Sequence, residues 1–302
     1  MKVQTFSIVI GDRKCDAHCP FCVSKMTGFC ELPGNDLINE ANFQKAARLA
    51  QIGGTTTVLM TGKGEPTFYM DQITRFLKLL QPFNFPFIEL QTNGLKLGRL
   101  ATQGTEGTHE LATIMQWRKL GLNTIALSVV DVDHDHNAAI YNKDYPDLAN
   151  TIRFLHKLGF SVRLCVMMLT GMVDSPESVA RVVDFCRTNE VEQLTIRPIR
   201  RTAKRTSNEK VSDFVADNGL EEKSINEIRE WVRQRGTLLF SLMHGAEVFD
   251  IDGQNLCVSD CLTVEKTGDD IRTLIFYVDG RLTYDWQYPG AILLGGRHNI
   301  VE

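Results

Sequence analysis

A chain of 302 residues with 43% hydrophobic and 23% charged residues has an ordinary globular composition and enough length to bury a large core without disulfide staples. Its formal charge of −4 argues against a general nucleic-acid binder while leaving room for a local basic patch. No apolar run approaches the roughly 20 residues that cross a bilayer, so no membrane attachment is expected.

Along the chain, apolar strand-type runs alternate with segments of helical period. Thr5–Ile10 (TFSIVI) predicts a strand. Asn39–Ile52 predicts a helix, with Phe43, Ala46 and Leu49 at helical spacing and Gly53-Gly54 as its stop. Thr56–Met60 predicts a second strand, Asp71–Leu80 a helix capped by Asp71, and Pro86–Thr92 a third strand. A helix over Thr108–Leu120 ends at Gly121, before a fourth strand at Thr124–Val130. Helices at Pro146–Leu158 and Ser175–Thr188 flank a fifth strand, Val162–Leu169, and Gln193–Ile199 closes the series. Strands that read as continuously apolar, separated by helices, imply a parallel sheet covered by those helices. The expected class is α/β, a partial (β/α)6 TIM-type barrel, because six units leave one side open.

After Ile199 the pattern breaks. Arg200–Lys210 (RRTAKRTSNEK) reads as a basic loop. A helix over Glu222–Gln234, a strand-like piece at Thr237–Leu242 and a hairpin over Ile271–Trp286, turning at Asp279-Gly280, follow. Two domains are expected: the barrel over residues 1–205 and a C-terminal α+β extension over 206–302 that covers the substrate and closes the open side.

The stretch that carries chemistry is CDAHCPFC, residues 15–22, directly after the first strand. Three sulfurs, those of Cys15, Cys19 and Cys22, cannot pair among themselves. The other five cysteines (Cys30, Cys165, Cys186, Cys257, Cys261) lack the dense, even spacing of a secreted disulfide framework. The opening MKVQTFSIVIGDRK offers no small-residue cleavage site. Free thiols without an export signal fit a reducing, cytoplasmic setting. A structural zinc site wants four ligands, commonly two close pairs. Three thiolates on one loop at the C-terminal end of a strand better suit a [4Fe–4S] cluster with one iron bare of protein ligands. A zinc-binding interaction module stands as the alternative from another class.

CxxxCxxC, with the aromatic Phe21 before its last cysteine, resembles the cluster motif of radical S-adenosylmethionine (SAM) enzymes. The resemblance implies that the bare iron chelates SAM. It also implies a one-electron donor of flavodoxin type, whose electron splits SAM to give a 5′-deoxyadenosyl radical that takes hydrogen from the substrate. TGKGEPT (61–67) resembles the family's GGEP motif with one residue more, which implies SAM contacts at Gly64 and Glu65, with Thr61 and Gly62 beside them. QTNG (91–94) and LSVVD (127–131) follow in order. They are similar to segments of the GTP cyclase of molybdenum-cofactor synthesis, which implies Thr92 near substrate and Ser128, like Phe21, on SAM. Arg163 stands where that cyclase has a substrate-contacting Lys and where other members bind the SAM carboxylate; it is assigned to SAM.

The resemblance covers residues 5–200 and then departs from the cyclase. Cys257-Val-Ser-Asp-Cys261 is one residue too long for that enzyme's second cluster motif, and Tyr284-Asp285-Trp286 stands where a third cysteine is needed. Phe6-Ser7-Ile8 replaces a substrate-binding Arg, and Gly295-Gly296 runs on into RHNIVE. A second cluster at Cys257 and Cys261 is therefore not expected, nor is that cyclase's reaction. Arg197, Arg200 and Arg201 have forked donors suited to phosphate or carboxylate. With His134 and His136, on the expected loop DVDHDHN, they are the candidates for holding a small anionic substrate, a nucleotide or sugar phosphate. Cys165 and Cys186 fit as small buried apolar residues. A peptide-modifying maturase is the alternative within the same chemistry.

Overall fold

The computed structural model describes residues 2–25, 38–103, 108–202, 208–242, 245–260 and 270–296. Cys30, Cys261 and the expected domain boundary near residue 205 lie outside them. The first two thirds run β1 (Val3–Ile10), α1 (Glu40–Ile52), β2 (Thr57–Gly62), α2 (Met70–Leu80), β3 (Phe87–Thr92), α3 (Leu95–Thr102), α4 (His109–Lys119), β4 (Thr124–Val129), α5 (His134–Ile140), α6 (Leu148–Lys157), β5 (Ser161–Met168), α7 (Pro176–Thr188) and β6 (Gln193–Pro198). Several helices start where the sequence supplies an acceptor for orphan amides: Asn39, Thr108 and Asp147 cap α1, α4 and α6, and Ser175 forms a capping box with Ser178 on α7. Asp71 is not a cap. It lies inside the first turn of α2, which grows from a 3-10 turn at Pro66–Phe68 and has Tyr69 at its cap without a side-chain bond.

The tail adds α8 (Glu209–Asn218), α9 (Glu222–Arg235), β7 (Thr237–Ser241), β8 (Glu247–Ile251), β9 (Gln254–Val258), β10 (Ile271–Tyr277), β11 (Leu282–Thr283) and β12 (Ile292–Leu294). The twelve strands of the described residues join one sheet in the order β12-β11-β10-β1-β2-β3-β4-β5-β6-β9-β8-β7. β1 to β6 are parallel to one another. Among the described residues the tail splits and extends both edges of the sheet. β10 pairs parallel with β1 and β9 parallel with β6, each carrying further antiparallel strands outward. An open six-stranded sheet has two unpaired edges, and each needs backbone partners.

Alternate residues of the strands point to opposite faces. Phe6 and Ile8 of β1, Val58 and Met60 of β2, Ile125 and Leu127 of β4, Val162 and Leu164 of β5 and Phe276 of β10 join the helices in one apolar core. Phe43 of α1 anchors it, with ring centroids 5.2 Å from Phe276 and 6.0 Å from Phe6. The other face carries Ser7, Thr61, Glu89, Gln91, Ser128, Arg163, Thr195 and Arg197. Its apolar part is a small separate cluster of Val9, Ile275 and Tyr277, with Trp286 against it. This second face is the lumen of the half-barrel.

Candidate active site

The loop after β1 holds Cys15, Cys19 and Cys22 as free thiols at the C-terminal end of the strands. Its path is fixed from several sides. Glu65 N–H donates to the Lys14 carbonyl (2.8 Å), and a Cβ on Gly64 would collide with the Lys14 and Arg13 backbone. The glycine of TGKGEPT therefore lets the second motif lie directly against the cysteine loop. Gly62 is hemmed in by the Gly64 and Ile10 carbonyls in the same way.

Glu65 is 2% exposed and holds the motifs together. Its Oε1 accepts from Thr67 N (3.0 Å), Thr67 Oγ1 (2.7 Å) and Thr92 Oγ1 (2.6 Å), and its Oε2 from Asn93 N (2.9 Å). Burial raises its pKa, and the donated bonds pull it back down. Thr92 also accepts from Gly94 N, so its hydroxyl is occupied within this network. The Asn93 side chain continues the chain of bonds. Its Nδ2 donates to Asp16 Oδ1 (2.9 Å) and lies 3.7 Å from Cys15 Sγ, while Ala17 N lies 3.4 Å from the same sulfur. Asp16 is tied further by Arg99 of α3 (2.6 Å), and its carbonyl accepts from Asn142 Nδ2 (2.9 Å). His18 N donates to the Tyr141 carbonyl (2.8 Å).

The stretch DVDHDHN is not a loop: its second half forms α5. Asp133 caps that helix by accepting from the Asp135 and His136 amides, and Asn137 closes the turn by donating to the Asp131 and Asp133 carbonyls. His136 Nδ1 lies 2.7 Å from Asp131 Oδ2, and fully buried Asp131 is also gripped by Arg181 (2.9 Å). His134 packs against the Tyr145 ring. The two histidines thus serve an anchored helix whose C-terminal end reaches the cysteine loop through Tyr141.

Inside the lumen, Ser128, Cys165, Thr195 and Cys257 form one row across β4, β5, β6 and β9. Arg163 lies one inward position before this row and Arg197 one beyond it. Arg163 forms an ion pair with Glu89 of β3. Burial alone would lower its pKa, but the Cys165 sulfur and Glu89 hold the guanidinium above the ordinary arginine value. Among the described residues, the Arg197 guanidinium forms no hydrogen bond or ion pair, and the Nε atoms of both arginines are buried without a partner. Burial raises the Cys257 thiol, while Arg197 and Arg163 pull it down. Arg200 and Arg201 stand apart. Arg200 pairs with Glu222 and Asp260, and Arg201 with Glu221, tying β6 to the tail.

The tail also meets the site. Phe21 packs on Phe214 of α8, with centroids 6.3 Å apart, and the Lys63 ammonium lies 5.4 Å from the Trp286 ring. Glu89, Asn93, Asp16 and Arg99 were not expected at the site. Asn93 and Asp16 sat unremarked inside quoted motifs. Arg99 had no sequence signal, because its partner is 83 residues away.

The thiols fit an iron–sulfur cluster by their donor chemistry. Burial, then the neighbouring Cys22 and Cys15, push the Cys19 thiol up to about 12. Two N–H groups already point at one of them. Among the described residues no three His, Cys, Asp or Glu side chains converge on a single metal ion. A half-barrel with three thiols on its first loop defines a cofactor-dependent class of enzyme. The chain belongs to the radical SAM superfamily, whose sequence pattern matches residues 9–186. Members of that family use a [4Fe–4S] cluster and SAM.

Solved structures share the fold. SuiB of Streptococcus suis bound to S-adenosylmethionine is 15% identical, with a TM-score of 0.56 over 93% of this chain and 60% of that one. A radical SAM methyltransferase from Sphaerobacter thermophilus is 20% identical, with a TM-score of 0.51 over 85% and 66%. The anSMEcpe protein with bound AdoMet and Cp18Cys peptide is 11% identical, with a TM-score of 0.52 over 97% and 77%. The chain thus spans about 60% of the length of SuiB. No curated protein matches it. The kinship holds for the superfamily and is not specific to the GTP cyclase.

Among the described residues no helix is long and apolar enough to cross a membrane.

Proposed function

We propose that the chain is a radical SAM enzyme that takes hydrogen from a small anionic substrate held inside the half-barrel. Cys15, Cys19 and Cys22 would ligate the cluster, and Phe21, Gly62, Gly64, Glu65, Ser128 and Arg163 would border SAM. When bound, the cluster and SAM would supply the one-electron chemistry, with the electron drawn from a flavodoxin-type donor. The chain's own part is to hold the cysteine loop rigid through Glu65 and Asn93 and to orient the substrate. Phe214 and Trp286 of the tail help exclude water, so residues from 206 onward act as the cover. Free thiols favour a reducing, cytoplasmic setting.

The observation that carries the substrate class is Arg197. Arg197 is half-buried, with its Nε enclosed and unpartnered, and an incoming carboxylate or phosphate would satisfy that forked donor. Thr195 would line the same space, whereas the Thr92 hydroxyl is committed to Glu65, and Arg200 and Arg201 already have acidic partners. A second reading, a peptide-modifying maturase, is favoured by the peptides present in the SuiB and anSMEcpe complexes of like fold.

The test is anaerobic reconstitution followed by assay of 5′-deoxyadenosine with panels of small phosphates, small carboxylates and peptides. The expected result is stimulation by a small anion, lost at least tenfold in Arg197→Ala. Stimulation by peptides alone, unchanged in that variant, would favour the maturase.

A further inference from the structure

We infer that Asn93 tunes the cluster's reduction potential by donating a hydrogen bond from its side-chain amide to the sulfur of Cys15. This rests on the radical SAM reading of the cysteine loop. The amide's orientation is over-determined. Its Oδ1 accepts from Leu95 N (2.9 Å) at the start of α3, and its backbone N–H is held by Glu65 Oε2 (2.9 Å). With the oxygen committed to the helix, the nitrogen end must face Asp16 and Cys15.

The neighbouring charges make the bond consequential. A carboxylate beside a cluster ligand disfavours an added electron, and Asp16 is the residue next to Cys15. Arg99 offsets that charge by pairing with Asp16 Oδ2, and Asn93 takes Oδ1. Asp16 is thereby turned into a bracket for the loop rather than a free negative charge facing the cluster. The remaining amide hydrogen and the Ala17 N–H then stabilise negative charge on sulfur, which is greatest when the cluster holds the donor's electron. Hydrogen bonds to cluster sulfurs raise the potential for this reason. The effect would ease reduction by an external one-electron donor without any bond to SAM.

The reconstituted enzyme tests this by redox titration followed by EPR. Asn93→Asp keeps an acceptor for Leu95 N–H and removes the donor. Asn93→Ser removes the amide without adding charge. Both variants should keep the wild-type iron content and shift the midpoint downward. Poised at the wild-type midpoint, Asn93→Asp should show a reduced-to-oxidised ratio about tenfold lower, equivalent to ~59 mV for one electron. Asn93→Ser should be about threefold lower. A merely structural role would change thermal stability and iron uptake but leave the midpoint alone. An Asn93→Ser midpoint equal to wild type would overturn the inference and leave the enzymatic reading intact. If neither variant takes up iron, wild-type protein labelled with 15N-asparagine provides the readout. Its reduced cluster should show hyperfine coupling to one asparagine nitrogen, and absence of that coupling refutes the bond. A wild-type chain that binds no cluster would instead sink the enzymatic reading itself.

Discussion

The two faces of the central sheet follow opposite rules. The helix-facing side of β1 to β6 is filled by Phe6, Ile8, Met60, Leu127 and Leu164 in one continuous apolar core. The lumen side of the same strands carries Glu89, Ser128, Arg163, Thr195 and Arg197, with buried nitrogens left unpaired. Apolar burial is concentrated on one face and the polar and charged groups on the other. Polar groups in a barrel interior cost free energy and persist where a ligand completes their bonding.

The sharpest break in that comparison is at the mouth of the lumen. Cys19→Ala should abolish iron binding at the loop and 5′-deoxyadenosine formation under dithionite, with the fold kept, as measured by visible absorbance and circular dichroism. Retained SAM cleavage would refute the ligand assignment. On the outer face, Phe43→Ala should cost about 3–5 kcal/mol in urea unfolding, because the ring touches strands and helix at once. On the inner face the sign should reverse. Arg197→Met, which replaces an unpaired cation by an apolar chain, should raise the ligand-free melting temperature, by an amount corresponding to about 1 kcal/mol. A fall of similar size would mean that the guanidinium is already satisfied.

The smallest effect is expected at α5, below the cysteine loop. Asp133→Ala should cost about 1 kcal/mol through the lost cap. The His136 and Asp135 amides hold the Asp133 carboxyl below the ordinary value of 3.8. A carboxyl depressed in the folded state stabilises the protein above 3.8 and loses that contribution as pH falls through its folded value. Asp133→Asn should keep most of the cap while flattening the acid limb of a stability–pH curve.

The parts legible in sequence were local. β1 to β6 showed as short apolar runs, and the three cysteines, GEP and TNG as compact motifs. Their inward alternation was masked, since residues such as Ala126 and Cys165 let the strands read as apolar throughout. α3 was hidden by Gly98, which looks like a breaker. In the fold it allows close packing, as a Cβ there would strike Pro146 of the turn before α6. α5 was hidden by its polarity. β8 and β9 are five-residue pieces with acidic or amide residues, and β9 gains its place by pairing with a strand some 60 residues earlier. Glu89 and Arg163 are 74 residues apart, so nothing local announces that they meet.

The pairing of β1 with β10 bears on how the molecule is made. Ser7 and Thr273, whose hydroxyls lie 2.9 Å apart, are separated by 266 positions. Contacts so distant in sequence slow folding, because a long loop must close before they reward it. During synthesis the first strand waits for nearly the last, and cluster insertion into its loop would precede or follow that closure. Chains cut after α7 should therefore emerge with naked sheet margins and clump rather than fold.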